Sequence, residues 1–339
     1  MPTVAVVILN FNGKDFLKKF LPSVIDHSHE LAEVIVADNA STDGSIEMLS
    51  EYFPLIRLIQ NNSNQGFSTG YNLALNQIDA DYYILLNSDI EVTAGWIEPV
   101  INMMEHDKNI AACQPKILSY NQKEYFEYAG AGGGFIDSYG YPFCRGRLFQ
   151  EIERDEGQYD DEAEVFWASG ACMFVRAELF HKMGGLDDDF FAHMEEIDFC
   201  WRLKNAGYKI MYCPRSVVYH IGGGTLPKSS ARKTYLNFRN NLSLLYKNLP
   251  DRSFLQIIII RLFLDMAASL KFLIEGGLGD FFAVARAHLH FYRKIPLLKR
   301  KRSALLRSKV KGIYRRNIAI QHFLFRKMKF TDLNQEDFN

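Results

Sequence analysis

Four times in its first ninety residues the chain runs through a short apolar stretch, stops on polar residues and continues with a helical pattern. Val4–Leu9 stops at Asn10-Phe11-Asn12-Gly13, and Val34–Ala37 at Asp38-Asn39-Ala40-Ser41. Ile56–Ile59 stops ahead of Asn61-Asn62-Ser63-Asn64-Gln65-Gly66, and Tyr82–Leu86 at Asn87-Ser88-Asp89. Continuous apolar runs of this length mark strands buried on both faces, and their alternation with helices builds a parallel sheet with right-handed crossovers. The sequence therefore predicts an α/β, Rossmann-like sheet flanked by helices, with all four polar strand ends on one edge. Ligands of such sheets sit beyond the carboxyl ends of the strands, which makes this edge the candidate site.

Each strand end has suitable chemistry. Asp89, next to Asn87 and Ser88, offers hard oxygen atoms with little bulk, a set that suits Mg²⁺ or Mn²⁺ carrying phosphates. The plainer reading is a cap for the helix announced by Gly95-Trp96-Ile97. Asp38 ends its strand where a carboxylate accepts hydrogen bonds from a ribose or base edge. Gly66 and Gly70 flank a helix start whose free N–H groups favour phosphate oxygens, although Asn61 to Asn64 reads equally as turn chemistry.

Residues 111–164 read as less regular. Ala129–Gly134 lacks the Lys-Ser or Lys-Thr of a P-loop and reads as a flexible loop or hairpin beside the site, and the acidic stretch Glu151–Glu164 as a solvated loop. Val165–Val175 reads as one apolar strand in which Gly170 marks a close approach by a ligand or another backbone, or a simple bulge. Glu195, Glu196 and Asp198 crowd the first turn of a helix, where its dipole favours negative charge. Tyr208–Cys213 and Val217–His220 read as two further strands, the second ending on His220.

Five scattered cysteines without C-x-x-C spacing argue against a disulfide framework or zinc ribbon and for a reducing compartment. Residues 1 to 9 lack the basic and long apolar parts of a signal peptide, so a cytoplasmic protein is expected. The net charge of −1 conceals a division: residues 281–331 hold 15 Lys and Arg and no acid, against a balance of −13 over residues 1–280. Phe254–Ile274 is apolar enough to raise the question of a membrane span, but Arg261 and Asp265 lie four apart on one helix face, a polar stripe on a greasy cylinder. A helix lying in the membrane interface or packed on the α/β part of the chain accounts for this better. With Phe281, Phe282, Phe291, Tyr292 and Lys299-Arg300-Lys301-Arg302 beyond it, the tail suits an anionic membrane surface on the cytoplasmic side; the alternative is pairing with the acidic front of the chain.

Taken in order, these segments resemble the glycosyltransferase family 2 enzymes of the GT-A fold, which use nucleotide-diphosphate sugars and invert the anomeric centre. The resemblance runs from Val4 to about Thr225 and rests on Val7-Ile8-Leu9-Asn10-Phe11-Asn12, Val36–Gly44, Asn64-Gln65-Gly66-Phe67, Asn87-Ser88-Asp89, Glu195-Glu196-Ile197-Asp198 and His220. It implies a catalytic unit over residues 1–225 and a helical, basic region over 226–339. It further implies a nucleotide-sugar pocket of Asn10, Asn12, Asp38, Asn39, Asn64, Gly66, Asn87, Ser88 and Asp89, an acceptor side with Trp167 and Gly170, and a divalent metal on Asp89 and His220. Asn87 stands where the family's Asp-x-Asp has its first acid. Glu196 stands where many members have the Asp that serves as general base, with Glu195 and Asp198 as neighbouring alternatives. The implied activity is hexosyl or deoxyhexosyl transfer to a glycan or lipid-linked acceptor in cell-surface polysaccharide or glycolipid synthesis.

Rival classes fare worse. A sugar-nucleotide synthesising enzyme needs a Gly-rich, basic loop after its first strand, and Asn10-Phe11-Asn12-Gly13 is neither. The basic tail carries no nucleic-acid-binding motif, so no nucleic-acid partner is expected. A non-catalytic sugar-nucleotide-binding or membrane-scaffold relative stays open through Asn87 and Glu196.

Overall fold

A computed structural model describes residues 2–222 and 230–339; the expected end of the catalytic unit, at Thr225, lies outside the described residues. The first half alternates as expected: β1 (Val4–Asn10), α1 (Lys14–Asp26), β2 (Glu33–Asp38), α2 (Ser45–Tyr52), β3 (Arg57–Gln60), α3 (Gly66–Leu75) and β4 (Tyr82–Asn87). Strands β3, β2, β1 and β4 lie side by side and parallel. Alternate residues of β1 enter two different cores, Ala5 and Val7 on one face, Val4, Val6 and Ile8 on the other. A sheet covered on both faces needs such strands to be apolar throughout.

After β5 (Ile90–Val92) and α4 (Glu98–His106) comes β6 (Ile110–Ser119), a ten-residue strand in the stretch expected to be irregular. Its polar residues disguise it. Gln114 is buried and donates to the carbonyls of Gly130 and Pro115, while Lys116 pairs with Asp155 at 2.7 Å and with Asp160 at 2.5 Å. The acidic stretch is thus not simply solvated, since Arg145 also pairs with Asp161 and Arg215 with Glu162.

Ala129–Gly134 is not a flexible loop. Gly130 and Gly133 have positive φ, and a Cβ on Gly134 would stand 2.1 Å from the Trp167 indole. It leads into a small second sheet of β7 (Gly134–Asp137), β8 (Pro142–Cys144), β9 (Arg147–Leu148) and β10 (Glu151–Ile152).

The single strand expected over Val165–Val175 is two. β11 (Ala163–Val165) ends at its start, and β12 (Cys172–Arg176) pairs antiparallel with both β4 and β6. Beyond α5 (Ala177–Lys182) and α6 (Glu195–Asn205), the two strands expected over 208–220 are one, β13 (Lys209–His220), with a register shift between Cys213 and Val217. β13 runs parallel to β6 and pairs antiparallel with β5, which sets His220 opposite Ile90, the neighbour of Asp89.

Three long helices follow: α7 (Ala231–Asn248), α8 (Asp251–Ile274) and α9 (Leu278–Ala304). Among the described residues no helix is long and apolar enough to cross a membrane. Arg261 and Asp265 do share a face of α8, and it points inward. Their 2.9 Å ion pair is buried against Asn241, the Tyr139 carbonyl and His288. The basic tail is partly paired inside the molecule, Lys294 with Asp189, Lys301 with Asp187 and Asp189, and Arg302 with Asp251; Phe291 is core rather than surface. β14 (Ile313–Tyr314) then runs parallel to β7 as an edge of the second sheet, and α10 (Ile318–Phe323) follows.

Candidate active site

At the end of β4, Asp89 is buried and its Oδ1 lies 3.1 Å from Nε2 of His220. Behind the imidazole, Nδ1 lies 3.2 Å from Oε2 of Glu127, also buried. Burial alone would depress the histidine. The Glu127 and Asp89 carboxylates outweigh it and lift His220 to about 10, while His220 in turn holds both carboxyls below their usual range. Asn87 Nδ2 approaches His220 Nε2 at 3.4 Å. Among the described residues no cluster of three His, Cys, Asp or Glu is arranged to hold a metal. Asp89 and His220 fit one as a two-donor set, since Mg²⁺-type ions take one or two protein ligands and complete their shell with substrate phosphates and water. Glu127 then stands as the carboxylate behind a ligating histidine.

The other strand ends close around this point. The backbone N–H of Asn87 donates to the Ala171 carbonyl at 2.9 Å, and at the adjacent Gly170 an added Cβ would stand 3.7 Å from Cβ of Glu196. Gly170 thus brings the Asn87 strand end and Glu196 together. An added Cβ on Gly13 would meet Ser88 Oγ at 3.3 Å and Asn10 Oδ1 at 2.6 Å.

Asp38 is fully buried; one oxygen accepts from Asn10 Nδ2 at 2.9 Å and the other from the Ser41 N–H at 2.8 Å. Asn12, at φ 52°, accepts from the Thr42 N–H. Asn39 donates to Asn64 and to the Gly66 carbonyl, and Asn64 accepts from the Gly66 N–H at 2.9 Å. Asn39 and Asn64 therefore brace the start of α3 from behind.

Glu196 is the second residue of α6, which starts without a side-chain cap after Phe191, His193 and Met194, all with φ between 66° and 74°. Left-handed backbone in three non-glycine residues persists only if its surroundings enforce it. Enforcement comes from α7: Asn240 Nδ2 donates to the carbonyls of Phe190, Ala192 and His193 at 3.0, 2.9 and 2.7 Å, and Arg239 donates to those of Asp189 and Phe190. Phe67 donates its N–H to the Phe191 carbonyl at 2.6 Å from the other side. So held, Glu196 keeps an oxygen with no hydrogen-bond partner, and burial lifts its carboxyl to about 7 against the pull of the N–H groups at the helix start. Burial and the Glu196 charge push Glu195 well above the carboxylate range. Burial, then the Lys233 charge, hold His193 near 4 and so neutral.

Two expected site residues belong elsewhere. Both oxygens of Asp198 are engaged, by Arg202 Nε at 2.9 Å, Lys247 Nζ at 2.9 Å and Asn248 Nδ2 at 2.8 Å, so it locks α6 to α7. Trp167 is buried, its indole N–H on the Phe135 carbonyl at 2.8 Å and its ring filling the space left by Gly134, so it faces the core rather than an acceptor. Sequence reasoning missed Glu127, Arg239 and Asn240. The only signal was an acid within the aromatic run Tyr125-Phe126-Glu127-Tyr128 and an Arg-Asn pair inside a helix.

A parallel sheet whose polar strand ends gather on one edge, with an antiparallel extension, defines an α/β protein with its candidate ligand site at that edge. The family model described as Glycosyl transferase family 2 matches residues 5–184, and the chain belongs to that family. Among curated relatives, it is 28% identical over 229 residues to N-acetylglucosaminyl-diphospho-decaprenol L-rhamnosyltransferase of Mycobacterium tuberculosis, covering 63% of this chain and 75% of the relative. It is 25% identical to rhamnosyltransferase WbbL of Escherichia coli, covering 64% and 83%. Among solved structures, GalNAc-T7 with UDP, GalNAc and Mn²⁺ aligns with a TM-score of 0.57 at 19% identity, over 74% of this chain and about half (49%) of that one. A mannosyltransferase from Pyrobaculum calidifontis with GDP-Man and Mn²⁺ aligns at 0.51 and 14% identity, over 84% and 74%. The fold is of the GT-A type seen in these transferases.

Proposed function

We propose that the chain moves a hexosyl or deoxyhexosyl group from a nucleotide-diphosphate sugar to a hydroxyl of a glycan or lipid-linked acceptor, with inversion, in cell-surface polysaccharide or glycolipid synthesis. The observation that carries this reading is the juxtaposition, on one sheet edge, of the Asp89–His220 pair with the partnerless carboxylate oxygen of Glu196. Asp89 and His220 hold a divalent ion, Mg²⁺ or Mn²⁺, with the donor diphosphate; that ion, when bound, neutralises the charge growing on the leaving group. Asn10 and Asp38 take the nucleoside end, with Asn12, Asn87 and Ser88 along the pocket, while Asn39, Asn64 and Gly66 support it from behind, because the first N–H groups of α3 are taken by Asn64 and the Phe191 carbonyl rather than free for phosphate. Gly170 keeps the approach to Glu196 clear for the acceptor, because any side chain there would meet Phe67 and Glu196.

Glu196 is the base. With its carboxyl near 7 it is ionised in an appreciable fraction at neutral pH and basic enough to take the acceptor proton as the hydroxyl attacks. Glu195, whose carboxyl is pushed up by burial and by the Glu196 charge, is the neighbouring alternative. Residues 1–225 form the catalytic unit and 226–339 a helical, basic unit that works peripherally on the cytoplasmic face of a membrane, where a lipid-linked acceptor is presented. The relative from M. tuberculosis, named for a diphospho-decaprenol acceptor, supports that choice.

The test is a screen of nucleotide-diphosphate sugars with Mn²⁺, read by thermal shift and then by nucleotide release in the presence of a polyprenyl-diphosphate-linked sugar as acceptor. A donor that is bound and consumed by the wild type, and bound but not consumed by Glu196→Gln, supports the reading. A donor bound but left intact by the wild type would make the chain a non-catalytic relative.

A further inference from the structure

α8 is amphipathic in the wrong sense for a helix in water. Arg261, Asp265 and Ser269 are buried inside, while Leu255, Phe263 and Met266 are 66%, 61% and 54% exposed. Ile259, Leu262 and Leu270 complete the outward stripe. From Leu255 to Leu270 the only ionisable residues are the inward Arg261 and Asp265, so the outer face carries no charge along about four helical turns. Contiguous apolar surface of this extent marks a face that meets something other than water.

The surroundings name the occupant. α9 meets α8 through Phe281, whose carbonyl accepts from Ser269, and His288, which pairs with Asp265. Exposed Phe282 and Leu289 continue the apolar surface over α9. Arg286, Arg293 and Arg300 recur at seven-residue intervals, about 140° round the helix from the Phe281 side, and form a basic rim. Beyond the end of α8, Phe323, whose ring lies 5.8 Å from Lys271 Nζ, begins a second exposed apolar group with Leu324 and Phe325. It is followed by Arg326, Lys327 and Lys329, and no acid occurs anywhere in residues 281–331. A second copy seated on the same face by two-fold symmetry would bring basic rim against basic rim. An apolar strip with basic flanks matches instead the acyl boundary and phosphate level of an anionic bilayer.

We infer that the outward face of α8, continued by Phe282 and Leu289 of α9 and by Phe323–Phe325, lies in the surface of a membrane containing anionic lipid, with the arginine rim at headgroup level. The face is in register with the site through α9, whose Lys294 and Lys301 reach Asp189 and Asp187, in the loop that leads to Glu196. Its use in presenting a lipid-linked acceptor rests on the transferase reading above; the docking itself does not.

The experiment is flotation of the full chain with phosphatidylcholine vesicles and with mixed phosphatidylglycerol–phosphatidylcholine vesicles. The wild type should float with the mixed vesicles and much less with the neutral ones. Ile259→Glu/Phe263→Glu, at exposed positions, should lose bound protein by about tenfold or more while melting as the wild type does. Arg293→Glu/Arg300→Glu should lose the preference for anionic lipid by about tenfold or more. Undiminished flotation of the α8 variant, equal recovery of the wild type with both vesicles, or light scattering showing a wild-type dimer that the α8 variant dissolves would each overturn the inference. A protein that floats as expected but consumes no donor overturns the transferase reading and leaves the docking face standing.

Discussion

Glu127 Oε2 lies 3.2 Å from Nδ1 of His220 and so fixes which ring nitrogen turns toward Asp89. A histidine held this way has Nε2 already turned to the Asp89 side, so an arriving ion has only to displace the Nε2 proton and not to rotate the ring. Glu127→Ala should weaken Mn²⁺ binding in the presence of a nucleoside diphosphate by about tenfold to a hundredfold, measured by electron paramagnetic resonance titration. Unchanged affinity would reduce Glu127 to a packing residue.

For Glu196, loss of the base should lower kcat by about a hundredfold or more in Glu196→Gln, with donor affinity unchanged in calorimetry. The wild-type rate should rise with pH through about 7 as the carboxyl ionises, and the variant should lose that limb. Stability moves the other way. The folded-state value lies above the ordinary 4.5, so ionisation costs stability as pH rises from 4.5 to about 7. The variant's stability should be flatter over that window in urea titrations.

Asn240 positions rather than reacts. Its amide holds three carbonyls of the left-handed segment before α6, and Asn240→Ala should let that segment relax. We expect kcat to fall by about tenfold to a hundredfold with donor affinity kept, and the rising limb of the pH profile to move toward lower pH as water reaches Glu196. A variant with lowered melting temperature but an unmoved pH profile would make the clamp merely structural.

Asp198 separates scaffold from chemistry. Asp198→Asn leaves Arg202 without its buried counter-charge and Lys247 with Asp187 alone, and should cost about 3 kcal/mol in urea unfolding, with donor binding retained by the folded fraction. Full stability with abolished transfer would return Asp198 to the reacting groups.

The parallel half of the sheet was legible because β1, β2 and β4 are almost wholly apolar and end where polar residues begin, and the same rule put Asp89 and His220 at strand ends. It failed where burial was achieved by pairing. β6 hides behind Gln114 and Lys116, whose partners lie far along the chain, and the partnership of Glu127 with His220 has no local pattern at all. Val165–Val175 misled because one apolar run holds the end of β11, a buried connection over residues 166–171 and most of β12, which lie in different places of one sheet. Trp167 beside small residues looks like a cleft wall; the glycine that accommodates it, Gly134, lies in another strand. On α8 the polar pair was legible and its direction was not, since a helical wheel states which residues share a face and not which face meets the protein.

The central claim is that Asp89, His220 and Glu196 serve one diphosphate-sized cleft. It is tested most directly by a crystal structure with Mn²⁺ and a nucleoside diphosphate, the metal located by its anomalous scattering. The account predicts Mn²⁺ bound by the Asp89 carboxylate, His220 Nε2 and a phosphate oxygen, with the free oxygen of Glu196 facing the open side of the diphosphate. Nucleotide bound while His220 stays closed on Asp89 without metal, or a diphosphate on the far side of the sheet edge from Glu196, would contradict it.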